Sequence, residues 1–375
     1  MAGIYIHIPF CKQACTYCNF HFSTNLKQRE AVIAAIIKEI TDCNFFSDEE
    51  KIATVYFGGG TPSLLSEDEI VSLFAALHKE FNISVDAEIT LEANPDNISK
   101  EALALWQKAG INRLSIGIQS FDEAELRWMN RAHTANESLA CLAQIKASGF
   151  TNYSVDLIYG SPLLTDENFK RNVDIIFAHQ VPHISGYALT VEPKTALDKM
   201  IRQKKSLPVD ADKQANHFIL LTQWMKEKGY EHYEISNFAL PGMRSQHNSS
   251  YWKGIPYYGF GPSAHSFDGK KVRRWNVSNN AVYTKALLNN LVFYTEEVLT
   301  PTQQINEAIM IGLRTMEGIE LDKIKLRFGD TVSEQLLKNS TKYINNNLMV
   351  LRNNLLILTQ EGKLLADGIA GDLFM

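Results

Sequence analysis

The chain has 375 residues, of which 45% are apolar and 21% are charged. This composition is typical of globular domains that bury a sizeable core, and it excludes a disordered or fibrous chain. The 37 basic and 42 acidic residues leave a net charge of −5, so no basic field indicates nucleic acid as a partner.

The sequence also lacks membrane and export signals. Its longest charge-free apolar runs fall far short of the ~20 residues that a membrane-spanning helix needs. The first ten residues, MAGIYIHIPF, lack the basic segment and long apolar stretch of a secretory signal. We therefore expect a cytoplasmic protein, and at ~150 residues per domain we expect about two domains.

Short apolar, β-branched runs alternate with segments of helical periodicity in the first half of the chain. The expected strands are 4–8, 53–57, 89–93, 114–118, 155–159 and 184–189, and the expected helices are 27–44, 66–81, 99–109, 137–148 and 168–179. Strand followed by helix, repeated in this way, predicts parallel strands joined by right-handed crossovers. Because no strand is followed by a GxGxxG turn, we predict an α/β fold with a partial or complete (β/α) barrel rather than a doubly wound sheet.

The pattern changes after residue 189. A long helix over 210–229 precedes a region dense in Gly, Tyr, His and Asn, which extends from 230 to about 275. A helix over 303–316 and a short strand over 355–358 follow. We predict a barrel domain over 1–290, which contains that loop region, and a small α-rich domain over 291–375.

Three of the five cysteines directly follow the first predicted strand, in the pattern Cys11-x3-Cys15-x2-Cys18. Clustered thiols in a reducing compartment indicate metal ligands rather than disulfides. Three thiolates can bind three irons of a [4Fe-4S] cluster and leave one iron open, whereas electron-transfer clusters take four cysteines. A Cys3His zinc site completed by His21 is the alternative. We favour the iron-sulfur cluster, because the loops that follow barrel strands build active sites.

The second predicted strand ends in a glycine loop, Gly58-Gly59-Gly60-Thr61-Pro62. Glycine lets backbone approach a ligand closely, and the absence of a following Lys argues against a Walker loop. A plain tight turn is the alternative for this motif alone. Polar residues also lie at or near the ends of the next strands, and these are Glu92, Asn94, Gln119 and Asp156, while Arg131 follows a short helix. Since all of them belong to one rim of the barrel, they favour a pocket.

Taken together, CxxxCxxC, GGGTP and the strands LEANP, SIGIQS and VDLIYG resemble the radical S-adenosylmethionine (SAM) superfamily over nearly the whole chain. Within it, the chain is similar to the branch of oxygen-independent coproporphyrinogen III oxidases and related heme chaperones. The resemblance implies that Cys11, Cys15 and Cys18 hold a [4Fe-4S] cluster whose open iron binds SAM. The SAM contacts that it implies are Tyr5, Tyr17, Gly59, Gly60, Thr61, Glu92, Gln119, Arg131 and Asp156.

Three features bear on which activity of this branch the chain has. The oxidases carry a fourth cysteine where this chain has Phe20, and they begin with an extension before the first strand, which is expected here at Ile4. The segment His247-Asn248-Ser-Ser-Tyr251-Trp252 is similar to the heme-binding HNxxYW signature of the chaperones. The resemblance therefore implies a heme chaperone that transfers heme to respiratory enzymes. Oxidative decarboxylation of coproporphyrinogen III to protoporphyrinogen IX is the alternative.

We predict heme contacts at His247, Asn248, Tyr251 and Trp252. An imidazole is a common ligand of heme iron, and the two aromatic rings offer flat apolar faces. The nearby His265 is a competing ligand, and a hydrogen-bonded histidine in an aromatic loop is the structural alternative. The resemblance implies heme and a heme-recipient protein as partners. A membrane-associated recipient and a homodimer are both compatible with the sequence.

Overall fold

The computed structural model describes residues 1–43, 45 and 50–375, and its largest element is a twelve-stranded sheet. The six central strands are parallel and adjacent in chain order. They are β1 (Ala2–Ile8), β2 (Ile52–Gly59), β3 (Ile83–Ala93), β4 (Arg113–Gln119), β5 (Tyr153–Tyr159) and β6 (His183–Ala188). Each contains nearly all of a predicted strand.

Helices connect these strands and cover one face of the sheet. They are α1 (Arg29–Thr41), α2 (Glu67–Glu80), α3 (Lys100–Lys108), α4 (Glu123–Trp128), α5 (Ala135–Ser148) and α6 (Asp166–Ala178). Capping boxes at Ser66 and Thr134 begin α2 and α5, and Gly149 ends α5 in a left-handed conformation with φ of 84°. The predicted helix over 27–44 ends at Thr41, and its last residue, Asn44, lies outside the described residues.

The two faces of each central strand have different chemistry. In β1, Ile4, Ile6 and Ile8 belong to the apolar core between the sheet and the helices. The alternating residues Tyr5 and His7 point to the opposite face, which is the interior of the barrel. That interior is largely polar, so it is suited to hold a ligand.

The sheet continues beyond the six parallel strands on both sides. Next to β6 lie β8 (Asn237–Ala239) and β7 (Glu231–His232), and next to β1 lie β9 (Tyr257–Phe260), β10 (His265–Phe267), β11 (Val272–Asn276) and β12 (Tyr294–Val298). The helices of this region are α7 (Ala196–Arg202), α8 (Ala211–Glu227), α9 (Gln246–Trp252) and α10 (Asn280–Leu288). Because β7 and β12 stand at opposite ends of the strand order, the predicted barrel is confirmed as an open, partial one.

A second group of elements follows β12. It comprises α11 (Pro301–Leu313), β13 (Ile319–Glu320), α12 (Leu321–Phe328), α13 (Asp330–Asn345), β14 (Met349–Arg352), β15 (Leu355–Leu358), α14 (Gln360–Lys363) and α15 (Ala366–Leu373). These elements have their own apolar core, which includes Ile309, Leu313 and Leu336. Strand β12, which directly precedes this group, pairs with β11 of the large sheet.

Within the described part of the chain, no helix combines the length and the apolar character that crossing a membrane requires.

Candidate functional site

A cavity of about 440 Å³ opens at the carboxyl ends of the parallel strands. The loop after β1, the glycine loop after β2 and the ends of β3 to β6 form its wall. Twelve of the residues predicted from the sequence line it, namely Cys11, Cys15, Tyr17, Cys18, Gly59, Gly60, Thr61, Glu92, Asn94, Gln119, Arg131 and Asp156. Parallel strands bring these distant segments together because their carboxyl ends share one edge.

The cysteine loop is closed at its base by backbone hydrogen bonds. The amide of Cys11 donates to the carbonyl of Ser23 at 3.1 Å, and the amide of Ser23 donates to Pro9 at 2.8 Å. Cys11, Cys15 and Cys18 are all free and partly buried. Burial raises the pKa of the Cys11 thiol and raises that of Cys18 to about 11. A bound metal would therefore have to displace protons from these thiols.

The two kinds of metal site considered for this loop differ in their fourth ligand and in how their thiolates are arranged. Among the described residues, no three His, Cys, Asp or Glu side chains are arranged to hold one ion. His21, the fourth ligand of the zinc alternative, has Nε2 2.7 Å from Oδ1 of Asn280. A [4Fe-4S] cluster takes each thiolate on a different iron, so its sulfurs need not converge on one point. The three cysteines at the cavity therefore fit the cluster better than zinc.

Arg131 connects the cysteine loop to the barrel. Its Nη1 donates to Sγ of Cys15 at 3.3 Å, and its Nη2 donates to Oδ1 of Asn94 and to the carbonyl of Gly117, both at 2.6 Å. The guanidinium therefore holds one side of the loop against β3 and β4.

Three buried polar atoms of the cavity wall have no hydrogen-bond partner within the described residues. They are Nε of Arg131, Oε1 of Gln119 and Oδ1 of Asp156. Burial also raises the pKa of Asp156 to about 6. Since buried polar groups in proteins almost always have a partner, these atoms are suited to a polar ligand in the cavity.

Glu92 is held in place at the end of β3. The hydroxyl of Tyr56 donates to its Oε1 at 2.8 Å, and the amide of Gly59 donates to its Oε2 at 3.1 Å. Burial raises the pKa of Glu92 to about 7. Tyr5 stacks on Tyr56 with ring centroids 6.0 Å apart, so it lies behind Glu92 rather than in the cavity wall.

The loop after β2 needs glycines because it lies very close to β1 and to the residues that follow β1. A Cβ atom on Gly59, whose φ is +106°, would come within 2.6 Å of the His7 ring. A Cβ atom on Gly60 would come within 2.6 Å of the Phe10 carbonyl oxygen. These glycines therefore allow the loop to pack on β1 while it lines the cavity.

The HNxxYW segment forms α9, which lies away from the cavity wall. His247 is only 2% exposed, and its Nδ1 is 2.8 Å from Oγ1 of Thr54 while its Nε2 is 2.9 Å from the hydroxyl of Tyr251. Burial lowers the pKa of His247 to about 3. Asn248, Tyr251 and Trp252 are partly exposed. The structure thus places the four predicted heme contacts on one helix, with both ring nitrogens of His247 occupied.

Sequence reasoning missed two tyrosines of the barrel interior. Tyr56 bonds Glu92, and Tyr187 lines the cavity next to Asp156. Strand alternation is the signal that could have found them, because Tyr56 lies two residues before Gly58 and Tyr187 two residues after the interior Ser185.

Comparisons with known proteins agree with this architecture. The radical SAM superfamily model matches residues 5–176, and the HemN C-terminal domain model matches residues 299–365. The heme chaperone HemW of Lactococcus lactis is 33% identical over 97% of this chain and 95% of its own length. The heme chaperone HemW of Bacillus subtilis is 31% identical over 99% of this chain and 98% of its own.

A solved structure shows the same fold. The coproporphyrinogen III oxidase HemN of Escherichia coli, described as a radical SAM enzyme, matches with a TM-score of 0.85 at 23% identity. The match covers 100% of this chain and 90% of the oxidase chain.

Proposed function

The chain belongs to the HemW family of the radical SAM superfamily, and from this membership we propose that it binds heme and transfers it to recipient proteins. The observation that carries the proposal is the similarity to two HemW heme chaperones over almost the full length of each chain. We further propose that it acts in the cytoplasm and that its recipients include respiratory enzymes.

We propose that Cys11, Cys15 and Cys18 hold a [4Fe-4S] cluster and that the adjoining cavity binds SAM. The position of the three thiols in the cavity wall supports this, as do the unpartnered polar atoms of Arg131, Gln119 and Asp156. When bound, the reduced cluster can supply one electron to the sulfonium of SAM. In the chaperone, the two cofactors serve a structural or redox-switching role during heme delivery.

The chain's own residues then bind and orient these groups. Arg131 holds Cys15 and is placed to meet a carboxylate, while Glu92 and Asp156 offer carboxyl groups to hydroxyls. Because burial raises the pKa values of both acids to about 7 and about 6, each is able to donate or accept a hydrogen bond near neutral pH. Tyr17 packs beside Ile158 and Leu189, so it contributes an apolar face to the cavity. Gly59, Gly60, Thr61 and Gln119 complete the proposed SAM site in the cavity wall, and Tyr5 supports Glu92 and Tyr56 from behind it.

We propose that the HNxxYW helix contributes to heme binding. Asn248, Tyr251 and Trp252 are partly exposed, whereas His247 holds Tyr251 and Thr54 through its two ring nitrogens. As long as these two bonds persist, His247 positions its neighbours and has no nitrogen free for iron.

A transfer assay tests the proposed function. The reconstituted protein, loaded with heme, is mixed with the apo form of a b-type respiratory cytochrome, and the spectrum of the recipient is followed. We expect the recipient to gain heme faster from the loaded protein than from the same concentration of heme supplied as its albumin complex. Equal rates, together with consumption of coproporphyrinogen III by the reconstituted protein, would contradict the chaperone proposal and favour the oxidase.

A further inference from the structure

We propose that His265 is the residue that ligates heme iron, at an aromatic wall formed by Tyr257, His265, Phe267 and Trp275. This inference rests on the proposed function, since it identifies where a bound heme would lie. It assigns to His247 a positioning role behind that wall.

His265 has the accessibility that an iron ligand needs. It begins β10, its side chain is exposed, and across the described residues its ring nitrogens make no hydrogen bond. Burial of part of the ring and the charge of Arg273 lower the pKa of His265, which favours the neutral imidazole. His247 differs in each respect, because it is buried and both of its nitrogens are bonded.

The aromatic wall offers a flat face next to this imidazole. His265 is paired directly with Trp275 across β10 and β11, and their rings stack with centroids 6.1 Å apart and planes 24° apart. Phe267 lies two residues further along the same face, 6.4 Å from the Tyr257 ring. Arg273 lies over the Phe267 ring at 5.4 Å. A tetrapyrrole has a flat apolar ring, and this face provides aromatic rings for it. Arg273 is also paired with Glu307, so it joins the wall to α11.

The HNxxYW helix packs against the back of this wall. The Tyr251 ring contacts the Tyr257 ring edge to face at 4.7 Å, and its hydroxyl is 2.9 Å from Nε2 of His247. His247 is in turn anchored to Thr54 in β2. Heme binding would therefore depend on His247 because it holds Tyr251, and through it Tyr257, in place. No bond between His247 and iron is needed for this dependence.

The turn between β9 and β10 packs on β1. A Cβ atom on Gly261, just after β9, would come within 2.5 Å of the His7 carbonyl oxygen, and a Cβ atom on Gly59 would come within 2.6 Å of the His7 ring. Gly261 lies four residues before His265, so β1 connects the segment that carries the proposed ligand with the glycine loop of the cofactor cavity.

The test is a heme titration of the reconstituted full chain with variants His265→Ala and His265→Met. We expect His265→Ala to weaken heme binding by at least about tenfold, because loss of even a supporting group at a metal site costs that much. We expect His265→Met to shift the Soret band, since the ligand atom changes from nitrogen to sulfur. His78→Ala is the matched control, because His78 is also exposed and stacks on an aromatic ring, Phe74, at 6.1 Å, but lies on the outer helix α2. It should bind heme as the unsubstituted chain does.

A second variant separates ligation from positioning. In His247→Ala we expect weaker binding but a residual complex whose Soret band lies where that of the unsubstituted chain does. Unchanged affinity and spectrum in both His265 variants, with normal binding by the unsubstituted chain, would overturn this inference alone. The absence of saturable binding by the unsubstituted chain would overturn the proposed function as well.

Discussion

At the scale of single residues, Arg131 determines much of the cavity's geometry. Its guanidinium reaches Cys15, Asn94 and Gly117 at the same time, and its Nε faces no partner in the described residues. A planar fork of five donors makes this arrangement possible, whereas a lysine supplies one compact ammonium on a flexible stem.

We therefore expect Arg131→Lys to lower the affinity of the reconstituted protein for SAM by about tenfold, or ~1.4 kcal/mol. Isothermal titration calorimetry measures this. Arg127→Lys is the control, because Arg127 lies on α4 four residues earlier and is paired with Glu123 at the surface. Equal affinity in the two variants would show that Arg131 does not contact the ligand.

The cysteine loop allows a second prediction. Cys15→Ala should abolish the iron-sulfur cluster, because two remaining thiolates leave two irons without protein ligands. Iron and sulfide analysis after anaerobic reconstitution measures this, with Cys43→Ala as the control outside the loop. Full iron and sulfide content in Cys15→Ala would disprove the assignment of this ligand.

Residues in or directly after the predicted parallel strands could be assigned to the cavity from sequence, because strand polarity places Cys11, Glu92 and Asp156 at one rim. The surroundings of His247 could not be assigned in this way. Its partner Thr54 is far away in sequence, and only the folded barrel brings α9 against β2. The HNxxYW pattern therefore predicted a functional segment without showing that its histidine is buried.

At the scale of elements, Glu39 joins α1 to the extension of the sheet. The carboxylate accepts hydrogen bonds from the amide of Gly261 at 2.8 Å and from Nδ2 of Asn276 at 2.7 Å, and it also bonds the hydroxyl of Tyr283. Burial nevertheless raises the pKa of Glu39 to about 7, despite these three donors. Folding therefore keeps this carboxyl protonated at pH values where the unfolded chain has lost the proton.

The sign of the resulting pH dependence follows from linkage. The folded state binds the extra proton between the ordinary value of 4.5 and about 7, so the contribution of Glu39 to the free energy of unfolding falls as pH rises through this window. The quantity to compare is the free energy of unfolding of Glu39→Gln minus that of the unsubstituted chain. We expect this difference to be about 1–3 kcal/mol larger at pH 8 than at pH 4.5. Urea denaturation at both pH values measures this. A difference that does not change with pH would contradict the raised pKa.

The central strands, their helices and the short strand β15, expected over 355–358, were predicted from sequence, whereas β7 to β11 were not. The central strands and their helices show clear periodicity, so their positions follow from local sequence. Strands β7 to β11 have two to five residues each, and they lie in a segment rich in Gly, Tyr and His. Their pairing depends on contacts with β1 and β6, so local patterns did not reveal the sheet that carries His265.

At the scale of the whole molecule, the chain has separate apolar cores in the barrel and in the group from α11 to α15. Polar contacts join them, and Ile235 of the barrel domain also packs against the smaller core. Arg244 pairs with Glu231 at 2.9 Å and with Glu317 at 2.7 Å, and Nζ of Lys363 donates to the carbonyl of His232 at 3.2 Å. We expect such a junction to let the elements from α11 to α15 unfold locally while the barrel stays folded.

Hydrogen exchange tests this division. We expect amides of α11 to α15 to exchange together, with a lower opening free energy than the amides of β1 to β5. Arg244→Ala should increase exchange in the smaller group and leave β1 to β5 unchanged. Equal protection across both groups, and an equal response to the substitution, would mean that the chain opens as one unit.

The central claim, that this chain binds heme, is tested most directly by anaerobic titration of the cluster-reconstituted protein with heme, followed at the Soret band. We expect saturable binding of one heme per chain that is weakened in His265→Ala and His247→Ala but not in His78→Ala. Non-saturable binding that is the same in all four proteins would contradict it.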